Sequence, residues 1–254
     1  MTEKIKVIEL DRLVIKEGKS FQVLKDINVS INPGEIACVL GSSGCGKSTL
    51  LRCVGGFDLP NAGRVLKDGG EVKKPSTDSI MIFQDFNQLL PWKTVLDNVV
   101  YPLKVNGIGS SKDERETIAL KYLKMVGLDD SYNSYPHQLS GGMKQKTAIA
   151  RALALKPSVL LMDEPFGSLD ALTRNSLQTL LLGIWKETGV TIIFVTHDVQ
   201  EAIVLGDKII IMDKNPGRIL EIVPNNLERP RDLGSPSFVE LYERVYSLLK
   251  GQGI

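Results

Sequence analysis

Cysteine is scarce in this sequence. Only Cys38, Cys45 and Cys53 occur among 254 residues, an odd number with no C-x-x-C pair, which excludes a disulfide framework and points to reduced thiols in a reducing compartment. Long apolar runs are missing as well. None approaches the roughly 18 residues of a membrane-spanning helix, and MTEKIKVIEL at the start carries no signal pattern. If the protein works at a membrane, something else carries it there. Excess charge is the third absence: Lys and Arg total 31 against 30 Asp and Glu, a formal net charge of +1, so no long-range field draws the chain toward nucleic acid or anionic lipid. What is present, 43% hydrophobic residues over this length, suffices for a sizeable core in one domain or in one domain with an insert.

The most informative stretch is GSSGCGKST, namely Gly41, Ser42, Ser43, Gly44, Cys45, Gly46, Lys47, Ser48 and Thr49. It matches G-x-x-x-x-G-K-[ST]. Ahead of it Glu35 to Leu40 is a short apolar run of strand formers, and behind it Thr49 to Gly55 can continue as a helix. The glycines accept backbone angles that a Cβ resists, so successive amides can turn inward around phosphate oxygens. The helix adds its positive end. Lys47 reaches the outer phosphates and the Ser48 hydroxyl suits a hard Mg²⁺ ion, so a nucleoside triphosphate with Mg²⁺ is the implied ligand. The alternative is a glycine-rich turn with a coincidental lysine.

Around this loop the chain alternates between strand and helix signals. Ile5 to Leu10 and Val23 to Ile31 read as strands separated by a polar turn at Lys16 to Ser20, and Asn32-Pro-Gly34 forms a tight turn into the next strand. Turn signals at Pro60 to Gly63 and Asp68 to Gly70 flank a short strand from Arg64 to Lys67, which together predict an antiparallel β layer beside a main sheet. Residues 111 to 156 change character. Ser111 and Glu114 fit a capping box, Ile118, Tyr122, Met125 and Val126 recur at helical spacing, and a second helix runs from Ser140 to Lys156. At the end, Ser237 and Glu240 mark a helix start, followed by an apolar stripe of Phe238, Leu241, Tyr242, Val245, Leu248 and Leu249. Asn215 to Pro230 is turn-rich and carries no motif.

Four further places carry chemistry. Gln84 closes the strand SIMIF and precedes Leu89, Leu90, Pro91 and Trp92, a run that is either core or an exposed docking patch. In LSGGMKQ, Ser140, Gly141 and Gly142 open a helix and make a second anion-binding end, unless Ser140 is an ordinary N-cap. Val159 to Glu164 is a buried-type strand ending in two carboxylates at the edge where ligands of open α/β sheets bind. Neighbours on a strand point opposite ways, so the two divide the work: Asp163 suits the Mg²⁺ shell, and Glu164 is placed to take a proton from an attacking water. TIIFVT ends on His197, one of two histidines; the other, His137, is given no chemistry.

Together these stretches resemble the ATP-binding subunits of ABC transporters over nearly the whole chain. The phosphate loop is GSSGCGKST, the Q-loop residue Gln84, the signature LSGGMKQ, Walker B VLLMDE, the D-loop Ser168-Leu-Asp170, and the switch histidine His197. The resemblance implies an α/β P-loop NTPase of the ABC type, one domain over residues 1–254 with a mostly parallel core sheet, an antiparallel β layer and an inserted helical subdomain. Residues 1–90 and 157–254 would form the core with its β layer, and 91–156 the helical subdomain with the signature. It also implies head-to-tail pairing, each ATP lying between the phosphate loop of one subunit and Ser140 to Gly142 of another, with Asp170 beside it. Lys47, the loop amides, and Mg²⁺ on Ser48, Gln84 and Asp163 would neutralise phosphoryl charge. Glu164 would activate water and His197 contact the γ-phosphate.

Narrower features, LLPW after Gln84, FGSLDALTR from Phe166 to Arg174 and a short tail, resemble the importers of nitrate, aliphatic sulfonates, taurine and related small solutes. The implied partners are a second ATP-binding subunit, identical or closely related, transmembrane permease subunits whose cytoplasmic helix meets Leu89, Leu90 and Trp92, and indirectly an extracytoplasmic solute-binding protein. No nucleic acid is among them. The implied location is the cytoplasmic side of the membrane, peripheral through the permease. One departure from the family is the lack of a clear adenine-stacking aromatic; Phe21, Val14 or Ile15 takes that place. The rival classes are a non-transport ABC ATPase acting on DNA or ribosomes, which usually carries paired cassettes or basic patches, and a P-loop kinase, in which LSGGMKQ would have no job.

Overall fold

The computed structural model describes residues 4–16, 19–85 and 88–250, and these form two compact units, 1–76 with 190–254, and 77–189. In the first unit, β1 (Ile5–Lys16) shows how the sequence shapes the sheet. Ile5, Val7 and Leu10 are buried, a spacing that a regular pleat cannot keep on one face. A bulge resolves it: the register with β2 (Lys19–Ile31) shifts between Val7 and Leu10, with Glu9 at φ 46. The extra residue re-aims Leu10 inward. β4 (Ala62–Lys67) and β5 (Gly70–Glu71) extend this sheet in the order β2-β1-β4-β5, every pairing antiparallel, which is the β layer that the turn signals predict. β2 starts earlier than Val23 because the hairpin pairs out to Lys16 and Lys19. Of the turn expected there, Glu17 and Gly18 lie outside the described residues.

The same unit holds β3 (Ile36–Gly41), β8 (Thr191–Thr196), β9 (Lys208–Asp213) and β10 (Arg218–Pro224), adjacent in the order β10-β9-β3-β8. β3 is parallel to β8 and β9, whereas β10 runs antiparallel. All residues of β3 and β8 are buried, the continuous apolar reading of strands covered on both faces. The helices of this unit are α1 (Lys47–Val54), α6 (Val199–Leu205) and α7 (Pro236–Lys250). α7 is capped two residues before the expected capping box: Ser235 Oγ accepts from Phe238 N at 3.3 Å, because Pro236 lacks an N–H and belongs in the first turn. Phe238, Val245 and Leu249 form its buried stripe, but Tyr242 stays exposed.

The second unit contains the parallel pair β6 (Ser79–Ile82) and β7 (Val159–Asp163) with α2 (Val95–Val105), α3 (Lys112–Met125), α4 (Gly141–Leu153) and α5 (Ala171–Thr188). Ser111 caps α3 as its pattern predicts, but only half the capping box forms. Glu114 N donates to Ser111 Oγ at 3.1 Å, while the Glu114 carboxylate turns to the N–H and hydroxyl of Ser110. α4 stops at Leu153 rather than Lys156, which sits at φ 51 because the residue before a proline avoids helical angles. Cys38, Cys45 and Cys53 are free and buried, and burial raises each thiol pKa, that of Cys53 to about 11.

Candidate active site

β3 delivers the chain into the phosphate loop, whose shape depends on close approaches. Gly44 and Gly46 lie at φ +79 and +100, in the left-handed region that favours glycine. A Cβ on Gly46 would also stand 2.6 Å from Leu24 Cδ2. Lys47, 5% exposed, curls over its own loop: its ammonium donates to Gly41 O at 2.8 Å and Ser42 O at 3.1 Å. The charge is thereby held above the first turn of α1, where the helix dipole already favours an anion. Ser42 Oγ is buried and has no hydrogen-bond partner among the described residues, an orphan donor suited to a phosphate oxygen. Ser43, Gly44 and Ser48 are exposed, Thr49 half-buried.

Strand register brings His197 beside this loop. Leu40 pairs with Thr196 across β3 and β8, so Gly41 and His197 leave neighbouring strands side by side, about 5 Å apart by strand spacing. His197 is exposed and immediately precedes α6. Thr196 Oγ1 donates to Glu201 Oε2 at 2.5 Å and accepts from Asp198 N at 3.0 Å, while Asp198 caps the helix by accepting from Glu201 N at 3.1 Å.

In the second unit the register of β6 and β7 does equivalent work. Ile82 pairs with Met162, so the chain segments carrying Gln84 and Asp163 emerge together. Phe83, Gln84, Asp85, Asp163 and Ser168 line a cavity of about 430 Å³. Glu164 sits at φ 43, a conformation that costs a residue with a side chain about 1–3 kcal/mol and persists only when the surroundings enforce it. Fully buried Phe166 is one anchor, and Gly167 N, which donates to Glu164 O at 3.2 Å, is another. A Cβ on Gly167 would stand 3.6 Å from Gln84 Nε2 and 3.8 Å from Glu164 Oε2, so amide and carboxylate flank one point. Within this unit Asp163 and Gln84 present oxygen atoms of the hard kind that Mg²⁺ takes. No group of three His, Cys, Asp or Glu side chains that could hold a metal occurs among the described residues, so such an ion would need phosphate oxygens to complete its shell.

The signature lies in the second unit too. Ser140 is the N-cap of α4, its Oγ accepting from Met143 N at 3.3 Å; it is exposed, Gly141 half-buried and Gly142 buried. A Cβ on Gly142 would lie 2.6 Å from Thr173 Cγ2, which is how tightly α4 meets the start of α5. Asp170 caps α5 by accepting from Thr173 N at 3.0 Å, and hydrogen bonds from the Thr173 side chain and then its backbone lower the Asp170 pKa. Leu89 is buried and Leu90 half-buried, but Trp92 is 70% exposed. Phe21 is exposed on β2.

Several supporting residues carry no sequence signal. Arg151, near the end of α4, donates to Gln88 O at 2.7 Å and so ties the signature helix to the segment after Gln84. Asn98, fully buried, accepts from Leu90 N at 2.8 Å and donates to the carbonyls of Leu90, Lys93 and Thr94, fixing the loop that displays Trp92. Gly217 lies where a Cβ would meet Cys45 O at 2.1 Å, backing the phosphate loop from the stretch that reads as motif-free.

Comparison with known proteins shows the family. Residues 24–167 match the family model described as ABC transporter. The chain is similar to an aliphatic sulfonates import ATP-binding protein of Bacillus thuringiensis subsp. konkukian, 43% identical over 98% of this chain and 97% of the relative. It is also similar to a nitrate import ATP-binding protein of Synechococcus elongatus, 44% identical over 84% of this chain and 77% of that one. A dimeric ATP-binding cassette solved in a post-hydrolysis state with ADP and Pi superposes with a TM-score of 0.78 at 34% identity, covering 88% of this chain and 100% of the cassette. On the family match and these identities, the chain belongs to the ABC transporter family, as one of its ATP-binding members.

Proposed function

We propose that this chain is the ATP-hydrolysing subunit of an importer of small solutes, with aliphatic sulfonates, nitrate, taurine or a related compound as cargo. The observation that carries the catalytic part is Glu164, forced to φ 43 at the end of β7, with its Oε2 and Gln84 Nε2 both within 4 Å of where a Cβ on Gly167 would stand. A carboxylate so fixed can orient a water and accept its proton. Lys47 and the amides of Gly41 to Thr49 bind the phosphates, and His197 contacts the γ-phosphate from the neighbouring strand end. Ser48, Gln84 and Asp163 would hold Mg²⁺, which supplies charge neutralisation on the phosphate oxygens. Residues 91–156 act as the helical subdomain of one ABC ATPase domain, and Ser140 to Gly142 with Asp170 serve the nucleotide of a second subunit. Trp92, held out on the loop that Asn98 fixes, is the contact for a transmembrane permease; an extracytoplasmic solute-binding protein completes the importer. The chain then works at the cytoplasmic side of the membrane without crossing it, in keeping with the described residues, where no helix is long and apolar enough to span a bilayer.

Glu164→Gln tests this reading. The variant should still bind ATP and accumulate a nucleotide-trapped dimer while turnover falls by roughly 10²-fold or more. Turnover at the parent rate would reassign the base.

A further inference from the structure

α6 is a helix of seven residues, too short to persist without partners at its ends. Its N-terminal end follows His197 directly and is capped locally by Asp198 and Thr196. Its C-terminal end is held by side chains from much later in the chain. Ala202 O accepts from Gly206 N at 2.9 Å, which leaves the carbonyls of Ile203, Val204, Leu205 and Gly206 to be satisfied. Arg231 Nη1 donates to Ile203 O at 2.6 Å, Val204 O at 3.0 Å and Gly206 O at 2.8 Å, while its Nε donates to Leu227 O at 3.2 Å. Asn225, 5% exposed, donates to Ile203 O at 2.8 Å and Gly206 O at 3.0 Å. Arg229 Nη2 takes Leu205 O. Every carbonyl of the helix end is occupied, and cations lie at the negative end of the helix.

Arg229 and Arg231 differ in what else they touch. Arg229 Nη1 also pairs with Asp207 at 2.6 Å, and Asp207 Oδ2 accepts from Ile36 N at 2.8 Å, at the foot of the strand that leads to the phosphate loop. Among the described residues Arg231 donates hydrogen bonds only to carbonyls: those of the α6 end and of Leu227, on its own segment. Its hydrogen bonds thus bear on α6 and its own segment and not directly on the strand that leads to Lys47.

We propose that Arg231 is a positioning residue for ATP hydrolysis, clamping the far end of α6 so that His197, at the near end, is held against the γ-phosphate. The proposal rests on the reading of His197 given above. Displacement of a positioned group by about 1 Å can cost up to roughly 10²-fold in rate. Loss of the clamp should therefore lower kcat while leaving the phosphate loop, and with it nucleotide affinity, unchanged.

The experiment measures kcat, the KM for ATP, and binding of a fluorescent ATP analogue for the purified full chain carrying Arg231→Lys, His197→Ala or both. Lysine keeps the charge, but its ammonium stops one bond short of the Nη1 position and it has no counterpart of the Nε that bonds Leu227 O. The expected result is a kcat roughly tenfold lower for Arg231→Lys with analogue affinity within about twofold of the parent, and less than about a twofold further effect of the same substitution on the His197→Ala background. Full turnover in Arg231→Lys, or the same tenfold loss on both backgrounds, overturns the clamp while leaving His197 in place. Parent turnover in His197→Ala overturns the histidine assignment and the clamp with it. If Arg231→Lys does not give folded protein, Asn225→Ala, which removes two of the same carbonyl bonds, is put through the same cycle and decided by the same outcomes.

Discussion

Replacing Gly142 by alanine sets two effects of known size against each other. Gly142 is the second residue of α4, its φ lies outside the left-handed region, and it is buried, so the backbone accepts alanine and the helix gains up to about 1 kcal/mol in propensity. Against this, the new Cβ would stand 2.6 Å from Thr173 Cγ2, whereas carbon pairs settle at about 3.5–4.0 Å. The starts of α4 and α5 must then part by roughly 1 Å, and Thr173, branched at Cβ, has few rotamers to retreat into. Overpacking of this kind costs about 1–3 kcal/mol. The clash outweighs the propensity gain, and Gly142→Ala should lower Tm by several degrees, at about 2–4 °C per kcal/mol for a chain of this size.

Thr173→Ser removes the colliding methyl, and the sign should reverse: added to Thr173→Ser, Gly142→Ala should raise Tm, with a coupling of about 1–3 kcal/mol between the sites. Thermal unfolding of the four chains followed by circular dichroism measures this cycle. ATPase turnover of the same four separates packing from chemistry. If the glycine is needed to bare an amide toward the partner's phosphate, turnover stays low in the double variant although its stability recovers. A higher Tm for Gly142→Ala alone, or additive effects in the cycle, would refute the packing argument; recovered turnover would refute the chemical one.

Trp92, 70% exposed, should tolerate Trp92→Ala with a stability change within about 0.5 kcal/mol, while permease-stimulated ATP hydrolysis falls more than basal hydrolysis; equal loss of both would make Trp92 a general structural residue. Asp58 accepts from Arg52 Nε at 2.8 Å, and that bond holds its pKa below the usual 3.8. A carboxyl lowered in the folded state contributes stability above its unfolded pKa and loses it as pH falls through the folded value. Asp58→Asn should therefore flatten the fall of Tm with pH below about pH 4, and an unchanged slope would show that the pair contributes nothing.

The parts of this molecule legible from sequence share one property: their information is local. The phosphate loop is read because glycine, lysine and serine at fixed offsets determine where amides and charge can point, and strand ends such as Leu40, Thr196 and Met162 are read because apolar runs stop there. Parallel pairing converts those strand ends into neighbours. Leu40 against Thr196 brings Gly41 to His197, and Ile82 against Met162 brings Gln84 to Asp163. Periodicity also has a local failure, at β1, where alternation carried through Glu9 would place a carboxylate inward and a bulge intervenes.

What sequence does not reveal is which distant donor satisfies which carbonyl. Arg151 reaches Gln88 across 63 positions, and Arg231 reaches Ile203 across 28. An arginine in a polar stretch reads as a solvated cation until the fold shows a helix end, or a loop carbonyl, at its tip. Hence Asn215 to Pro230 reads as turn-rich and empty, although it contains Gly217 behind the phosphate loop and Arg229 at the end of α6, and leads into Arg231 there. The groups that would touch nucleotide can be found by spacing, because phosphate chemistry prescribes them. The groups that would hold those in place are prescribed only by where backbone polar atoms are left over, and that is known once the helices have ends.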